Sequence, residues 1–338
     1  RQNWFEAVGR EHKAGREAAV LIDQTSFAKF ALTGPDAEAA LSWIAANDVA
    51  KPPGALTYTQ MLNDDGGIEC DLTVARLGAE EFYIVTGTGF AVHDFDWISR
   101  NIPAGMNARL QDVTADWSVL SLMGPRARQI LQTLTDDDVS NDGFRFAQVR
   151  NIRVAGCPVR ALRLTYVGEL GWELHTPIEH AAQLYTALIE AGAPLGLRDG
   201  GYRAIESMRL EKGYRAWGSD IGPDHTPFEA GLGWVVKLAA GDFVGRDALR
   251  RIKAQGFERK LVGFEMTERG IARHGYPIVV DGAHVGEVTS GSPGPTVGRN
   301  IGLGYVPKAL AKVGTALGIE IRGKVVGAVV VPTPFYKR

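Results

Sequence analysis

The chain has 338 residues, of which 45% are hydrophobic and 22% charged, and its formal net charge is −2. The length favours two or three domains, and the composition excludes a disordered chain, a collagen-like repeat and a coiled coil. Because the charges nearly balance, no net field attracts nucleic acid or an anionic membrane, and we expect neither as a partner.

The chain begins at Arg1 without a methionine, and residues 1–6 do not resemble a signal peptide. No apolar run approaches the roughly 20 residues that a membrane-spanning helix needs. Two cysteines without a C-x-x-C spacing exclude a disulfide framework and a zinc site built from thiolates. We therefore expect a soluble protein of the cytoplasm, or of the mitochondrial matrix in a eukaryote. A processed protein, a shortened chain and the back half of a longer protein all fit this start.

A strand followed by Gly-Pro and a helix occurs twice, at residues 29–44 and 119–134. Proline suits the first helical position, where its missing N–H leaves no bond unmade, and apolar residues with helical spacing follow in both copies. The pattern predicts a duplicated β-turn-α unit rather than a solenoid, which needs more and shorter repeats.

Alternating apolar residues and turn signals predict further elements in the front part of the chain. Helix 180–191 is expected to end at a capping Gly192, and the next helix at Gly213. The predicted strand pairs are 68–77 with 81–85 and 152–155 with 159–166, and the predicted helices are 180–191 and 202–212.

From about residue 257 short β runs replace this pattern, and only 307–313 suggests a helix. Such regular short strands predict a small barrel or sandwich. The fold class is therefore α+β, with an α+β region at 1–256 and an all-β domain at 257–338. The six runs are 261–266, 276–280, 285–290, 301–306, 316–321 and 325–331.

The common fingerprints of cofactor and hydrolase sites are missing from the sequence. It contains no G-x-G-x-x-G opening a βαβ unit, no G-x-x-x-x-G-K-[ST], no H-E-x-x-H and no G-x-S-x-G. The stretch 86–89 resembles half a phosphate loop and is interpreted as an ordinary turn. The seven histidines are scattered singly, so we assign no metal site.

Three segments carry candidate functional residues. In 58–74, a Gly-Gly turn leads into a strand whose alternation places Asp71 on the face opposite Cys70 and Leu72. An acidic residue inside a strand needs compensation, and the alternative is a solvated edge position. In 166–174, two glycines bracket Glu169, and a strand then carries Trp172 and Glu173 on opposite faces.

The third segment is the helix around Arg209, which borders the apolar stripe of that helix. A guanidinium there needs a carboxylate partner. An ion pair with Glu206, three residues earlier, is the structural alternative to a binding role.

Taken together, motifs along the whole chain resemble the aminomethyltransferase family, typified by the T-protein of the glycine cleavage system. Residues 85–98 and the opening 3–5 are more similar to the folate-binding C-terminal half of dimethylglycine and sarcosine dehydrogenases. The motifs are Asn-x-x-Gly-Gly-Ile-x-x-Asp-Leu-Thr-Val at 63–74, Tyr-Val-Gly-Glu-Leu-Gly-Trp-Glu at 166–173, Met-Arg-Leu-Glu-Lys-Gly at 208–213, and the segments 227–234, 242–246, 289–296 and 334–336.

The resemblance implies a three-lobed ring of two related, ferredoxin-like α+β lobes around a folate site, with a small β-barrel. It implies tetrahydrofolate as cofactor, and FAD only if a missing N-terminal half exists. By the matching motifs, Asp71 is the catalytic aspartate and Glu173 reads the pterin edge. The remaining folate-binding candidates are Tyr58, Arg209, Tyr166 and Glu169, the last as an alternative to Glu173.

The function implied is capture of a methylene group from an oxidised N-methyl amine, of the dimethylglycine or sarcosine type, by tetrahydrofolate. A small amine-derived donor and a flavin dehydrogenase half or subunit are the expected partners. Direct methyl transfer to tetrahydrofolate and a folate-binding factor without turnover remain open. Relatives of that last kind carry Lys-Gly-Cys where this chain has Tyr214 after Lys-Gly, which favours an enzyme.

Overall fold

The computed structural model describes residues 3–337, so Arg1 and Gln2 of the N-terminal stretch and Arg338 lie outside the described residues. The chain forms two compact units. The first extends to Leu62 and adds Glu69–Ala204 and Lys237–Val244, and the second comprises Asn63–Ile68, Ile205–Val236 and the chain from Gly245 onward. The boundary at 256/257 that we drew from the sequence stays a prediction.

The first unit combines helices with two sheets. Its helices are α1 (Phe5–Glu17), α2 (Ala37–Ile44), α3 (Ala91–Asn101), α4 (Ala127–Gln132) and α5 (Ala181–Gly192). Its strands are β1 (Ala19–Asp23), β2 (Ala28–Thr33), β3 (Leu56–Leu62), β4 (Ile68–Arg76, of which Ile68 belongs to the second unit), β5 (Glu81–Thr86), β6 (Arg109–Asp112), β7 (Trp117–Met123), β8 (Gln148–Val154), β9 (Cys157–Arg163), β10 (Gly171–Pro177) and β11 (Leu197–Gly200).

The order of strands in the two sheets confirms the duplication. The five-stranded sheet runs β3-β4-β5-β2-β6, and the six-stranded sheet runs β11-β1-β7-β10-β9-β8. Four strands of one sheet therefore correspond in order to four of the other, β3-β4-β5-β2 to β8-β9-β10-β7. The predicted pairs β4 with β5 and β8 with β9 are both formed.

The Gly-Pro turn of each copy has the same backbone geometry. Gly34 has a φ of +128° and Gly124 a φ of +136°, values that residues with a Cβ rarely adopt. A Cβ on Gly34 would lie 2.2 Å from the carbonyl oxygen of Asn107, and one on Gly124 2.5 Å from that of Ala18. The helices begin at residues 37 and 127, so the prolines belong to the turn and not to the first helical position that we predicted.

Each sheet of the first unit packs its helices onto one face. Cys70, Leu72 and Val74 of β4 lie in an apolar cluster with residues of α2 and α3. Trp172 and Leu174 of β10 lie in a second cluster with residues of α4 and α5. Burial along β4 alternates as the sequence predicts, because successive side chains point to opposite faces of the sheet.

Several element ends differ from the predictions. Helix α5 passes through Gly192 into a 3₁₀ turn at Ala193–Leu195, and Gly196, with a φ of +81°, ends it. The stretch 86–89 is the end of β5 and the start of a 3₁₀ turn, Thr88–Phe90, that leads into α3. This is consistent with the ordinary turn that we expected.

The second unit contains a closed six-stranded barrel in the order β12-β15-β14-β13-β16-β17. Closure decides between the barrel and the sandwich and confirms the α+β class with an all-β tail. Its strands are β12 (Arg259–Met266), β13 (Pro277–Val280), β14 (Ala283–Gly294), β15 (Arg299–Pro307), β16 (Ala316–Ile321) and β17 (Lys324–Val331). Most of helix α6 (Tyr202–Glu211) and all of α7 (Arg246–Gln255), which we did not predict, also belong to this unit.

The helix suggested at 307–313 is only a 3₁₀ turn, Lys308–Leu310. Apolar side chains such as Phe264, Ile278 and Ile319 fill the barrel, since inward positions alternate with outward ones along each strand. Among residues 3–337, no helix combines the length and the apolar character needed to span a bilayer.

Candidate functional site

The two sheets of the first unit face each other across a shared apolar cluster. Its buried members are Leu56, Ala75, Tyr83, Val85, Val149 and Leu162. Asp71 precedes Ala75 by four residues on β4, so it points to the same face of the sheet. Tyr58 and Gln60 share the face of Leu56 on β3 for the same reason. The candidate residues of the five-stranded sheet therefore line the face that is turned toward the six-stranded sheet.

The Asp71 carboxylate is half-buried and accepts a hydrogen bond from Nε2 of Gln60 at 2.8 Å. Strand β4 lies between β3 and β5, so Asp71 does not occupy an edge strand. Gln60 is fully buried, and its Oε1 has no hydrogen-bond partner within residues 3–337. A buried amide oxygen without a donor is costly, and it leaves an acceptor beside Asp71 for an incoming N–H or O–H group.

Glu173 lies on the opposing wall. On β10 it is the direct cross-strand neighbour of Leu162, which belongs to the cluster between the sheets, so its side chain shares that face. Trp172 points the other way into the helix-covered core, with its ring centroid 6.2 Å from that of Phe144. This confirms the opposite faces predicted for the two residues.

A buried Tyr-His pair stands beside the Glu173 carboxylate. The hydroxyl of Tyr83 lies 3.0 Å from Nδ1 of His175, and Nε2 of His175 lies 3.6 Å from the nearer carboxylate oxygen of Glu173. Burial raises the pKa of Tyr83 well above its ordinary value and lowers the pKa of His175, although Glu173 opposes the second shift. Tyr83 is therefore protonated and His175 neutral, and the Tyr83 hydroxyl donates to Nδ1 of the His175 ring. The single N–H of the ring is then on Nε2, which faces Glu173.

The Glu173 carboxylate is buried, with 8% of its side chain exposed. It accepts no hydrogen bond of normal length from any side chain or backbone group in the part of the chain that the structure describes. Buried carboxylates are ordinarily satisfied, so an open one is expected where a ligand supplies the donors.

Tyr83 and Glu173 occupy equivalent positions in the two copies of the duplication. Tyr83 pairs with the residue three before Gly34, and Glu173 pairs with the residue three before Gly124. His175, two residues after Glu173, joins the two walls through Tyr83.

Lys29 also lies on the inward face of β2. Its side chain is fully buried, and its ammonium donates to the carbonyl oxygens of Thr25 at 2.7 Å and Trp117 at 2.8 Å. Burial lowers its pKa to about 8, against the opposing effects of Asp112 and Asp23. The interface between the two sheets therefore carries ionisable groups of both signs.

Glu169, the alternative to Glu173, is engaged in a buried ion pair. Its Oε1 lies 3.0 Å from Nη1 of Arg16, which also donates to the carbonyl oxygen of Val167 at 2.7 Å, and both charged side chains are almost fully buried. The hydroxyl of Thr165 accepts the backbone N–H of Glu169 and fixes the loop. Tyr166 lies half-buried in the same loop. The geometry favours Glu173 over Glu169 as the carboxylate open to a ligand.

Arg209 lies in the second unit, and internal partners use all five of its N–H groups. It donates to Asp220 at 2.6 Å, to the carbonyl oxygen of Tyr214 and the hydroxyl of Ser290, both at 2.8 Å, and twice to the Glu206 carboxylate. The structural alternative, the pair with Glu206, is therefore formed. Arg209 connects α6 to β14 of the barrel, and its role toward folate stays a prediction.

Gln60, Tyr83 and His175 were not among the residues that we predicted for the site. The sequence carried a signal for two of them, since Gln60 follows Tyr58, and His175 follows Glu173, at the two-residue spacing of one strand face. Tyr83 lies beside His175 only because one sheet packs on the other, and the sequence carries no signal for that packing.

Two family models match the chain. The model described as the GCVT N-terminal domain matches residues 1–240, and that of the glycine cleavage T-protein C-terminal barrel domain matches residues 259–337. The second matched range contains the closed barrel.

Curated proteins and solved structures similar to this chain point the same way. An aminomethyltransferase of Symbiobacterium thermophilum is 42% identical over 98% of this chain and 90% of its own length. The human mitochondrial dimethylglycine dehydrogenase is 37% identical over 99% of this chain, which spans only 39% of that enzyme. The crystal structure of the glycine cleavage aminomethyltransferase T from Bartonella henselae, 31% identical, superposes with a TM-score of 0.89 over 97% of this chain and 89% of that one.

Proposed function

The chain belongs to the aminomethyltransferase family, typified by the glycine cleavage T-protein, and we propose that it captures a methylene group derived from an N-methyl amine on tetrahydrofolate. The donor class is an oxidation product of the dimethylglycine or sarcosine type, and the product is 5,10-methylenetetrahydrofolate. Enzymes of this family use tetrahydrofolate, which supplies the nucleophilic nitrogens that receive the one-carbon unit. The observation that carries the proposal is the pair of carboxylates, Asp71 and Glu173, on facing walls of the first unit.

The residues present suit a reduced pterin. Its amino and ring N–H groups are donors, and Glu173 offers a buried carboxylate that accepts no hydrogen bond from the described residues. Such charge-assisted pairs are roughly twice as strong as neutral hydrogen bonds. Nε2 of His175 lies 3.6 Å from the carboxylate, beyond hydrogen-bonding distance, so the acceptor capacity of Glu173 stays available to the pterin.

Asp71 is assigned to the chemical step. Tetrahydrofolate is neutral at its reacting nitrogens, whereas an iminium donor carries a positive charge that a nearby carboxylate stabilises. Gln60 fixes the Asp71 carboxylate through one oxygen, at 2.8 Å. Asp71 also accepts a proton from the attacking nitrogen, a role worth roughly 10² to 10⁴ in rate.

The amine class rests on the comparison with dimethylglycine dehydrogenase, which extends over nearly the whole chain. It also rests on the stretch 85–89, which differs from the T-protein motif at the position where that motif has Asn-Ala. Here the Thr86 hydroxyl points to the helix-covered face of the sheet and donates to the Asp94 carboxylate of α3 at 2.5 Å. The flavin step that would generate the iminium belongs to a separate half or subunit.

A second candidate is the glycine cleavage reaction itself, with an aminomethyl group presented by a carrier protein. The aminomethyltransferase of Symbiobacterium thermophilum favours it, since this chain covers 90% of that enzyme at 42% identity. Direct methyl transfer to tetrahydrofolate and folate binding without turnover have no comparable support. The presence of Asp71 favours turnover over binding alone.

The experiment supplies purified chain and tetrahydrofolate with dimethylglycine or sarcosine and a flavin dehydrogenase in trans. We expect 5,10-methylenetetrahydrofolate to form faster than in the same mixture without the chain, where released formaldehyde condenses with folate unaided. The Asp71→Asn variant serves as the matched control. Turnover of a carrier-bound aminomethyl group, together with no acceleration for either amine, would replace the proposal with the second candidate.

A further inference from the structure

We propose that Cys70, His93 and Asp94 form a binding site for a single zinc-like divalent cation, on the face of β4 opposite Asp71. One ligand atom from each of the three residues lies within 4.8 Å of the other two. The proposal departs from the sequence analysis, which assigned no metal, because two of the ligands come from a helix that the sequence does not place beside β4. The site rests on this cluster alone and does not depend on the proposed function.

The arrangement around the His93 ring points to a cation. Its Nδ1 lies 3.0 Å from a carboxylate oxygen of Asp94, and its Nε2 lies 3.3 Å from a carboxylate oxygen of Glu69. A neutral imidazole carries only one N–H, so one nitrogen presents its lone pair to a carboxylate. Either a second proton or a metal ion must stand between that nitrogen and the oxygen.

The Cys70 thiol favours the metal. It belongs to the face of β4 that is opposite Asp71 and packs toward α3, which carries His93 and Asp94. A thiolate, an imidazole and a carboxylate form a donor set that suits zinc, with a fourth position left for water. The Cys70 thiol also lies within hydrogen-bonding reach of the Asp94 carboxylate, so sulfur, carboxylate and imidazole are close enough to share one ion.

Two neighbours behave as outer partners of such a site. Glu69 accepts the Nε2–H of His93, the arrangement that fixes the tautomer of metal-binding histidines. The Thr86 hydroxyl donates to Oδ2 of Asp94 and leaves Oδ1 facing the ring. The His93 side chain is 40% exposed, so an ion can reach the buried thiol and carboxylate past it.

Titration of the full chain with Co²⁺ tests the proposal, because a cobalt ion bound by a thiolate shows a charge-transfer absorption in the near ultraviolet. We expect this band to saturate at one equivalent and to disappear in Cys70→Ser. The matched control is Cys157→Ser, which removes the other free cysteine and should keep the band. Glu69→Gln should weaken Co²⁺ binding by roughly 10- to 100-fold, and His93→Gln by more.

His93→Gln and Asp94→Asn carry the test if Cys70→Ser does not fold, since the His93 side chain is 40% exposed. Circular dichroism establishes that the variants are folded. Zn²⁺ should also raise the midpoint of thermal unfolding of the parent but not of His93→Gln. The proposal is overturned if saturating Co²⁺ gives no thiolate band, if the band persists in Cys70→Ser, or if His93→Gln binds Co²⁺ as tightly as the parent.

Discussion

The substitution Asp71→Asn separates a catalytic carboxylate from a structural one. Asn keeps an oxygen that can accept the 2.8 Å hydrogen bond from Gln60, so the local contact survives and only the charge is lost. Acid-base help of roughly 10² to 10⁴ in rate corresponds to about 2.7 to 5.4 kcal/mol of transition-state stabilisation, at about 1.36 kcal/mol per factor of ten. We expect methylene transfer to slow by at least about 100-fold.

Tetrahydrofolate affinity and the unfolding midpoint should change little in this variant, because the reacting nitrogens of bound folate are neutral before the donor arrives. Transfer is measured with the donor generated by a flavin dehydrogenase in trans, and affinity by calorimetry. Asp96→Asn is the matched charge control, since Asp96 forms an exposed pair with Arg100 on α3. If Asp71→Asn transfers at the parental rate above background, or if rate, affinity and stability all fall together, the catalytic assignment is wrong.

Glu173→Gln should weaken tetrahydrofolate binding by about 1 to 3 kcal/mol, because the amide presents a donor to the donors of the pterin; an unchanged dissociation constant in calorimetry would move the pterin role to Glu169. Lys29 has a pKa of about 8 in the folded chain against an ordinary value of 10.5. Between pH 8 and 10.5 the unfolded chain binds more protons at Lys29 than the folded chain does, so the free energy of unfolding in urea should rise with pH. A rise of equal size in Lys29→Met would contradict this. Arg209→Met should lower that free energy by about 3 to 5 kcal/mol, because Asp220 keeps a buried charge without its partner, and a variant as stable as the parent would refute it.

Local patterns in the sequence predicted most of the fold. The six barrel strands and the pairing of β4 with β5 follow from alternation and turn residues, which act over a few neighbours. Helix α7 was missed because its apolar positions are few and charged residues dominate it. The end of α5 was misplaced because Gly192 packs against Leu197 inside the unit and the capping conformation falls on Gly196.

The site was predictable where a motif or a strand face carried it. Asp71 and Glu173 were named from their motifs, and the faces of both agree with the alternation of their strands. Which carboxylate is open could not be predicted, because Glu169 is satisfied by Arg16, more than 150 residues away in the chain. The partners of the Arg209 N–H groups likewise come from α6, the segment after it and β14, which only the tertiary fold brings together.

The equivalence of Tyr83 and Glu173 has a consequence for how this chain can change over evolution. A duplication that packs its copies face to face begins with the same side chain at both positions, and only divergence makes one a phenol and the other an acid. The four equivalent strands of each wall are encoded by separate stretches, 28–86 and 117–177. Substitutions at Asp71 on one wall and at Glu173 on the other can therefore accumulate independently. His175 is the exception, since its contacts with Tyr83 and Glu173 oblige the two copies to change in step.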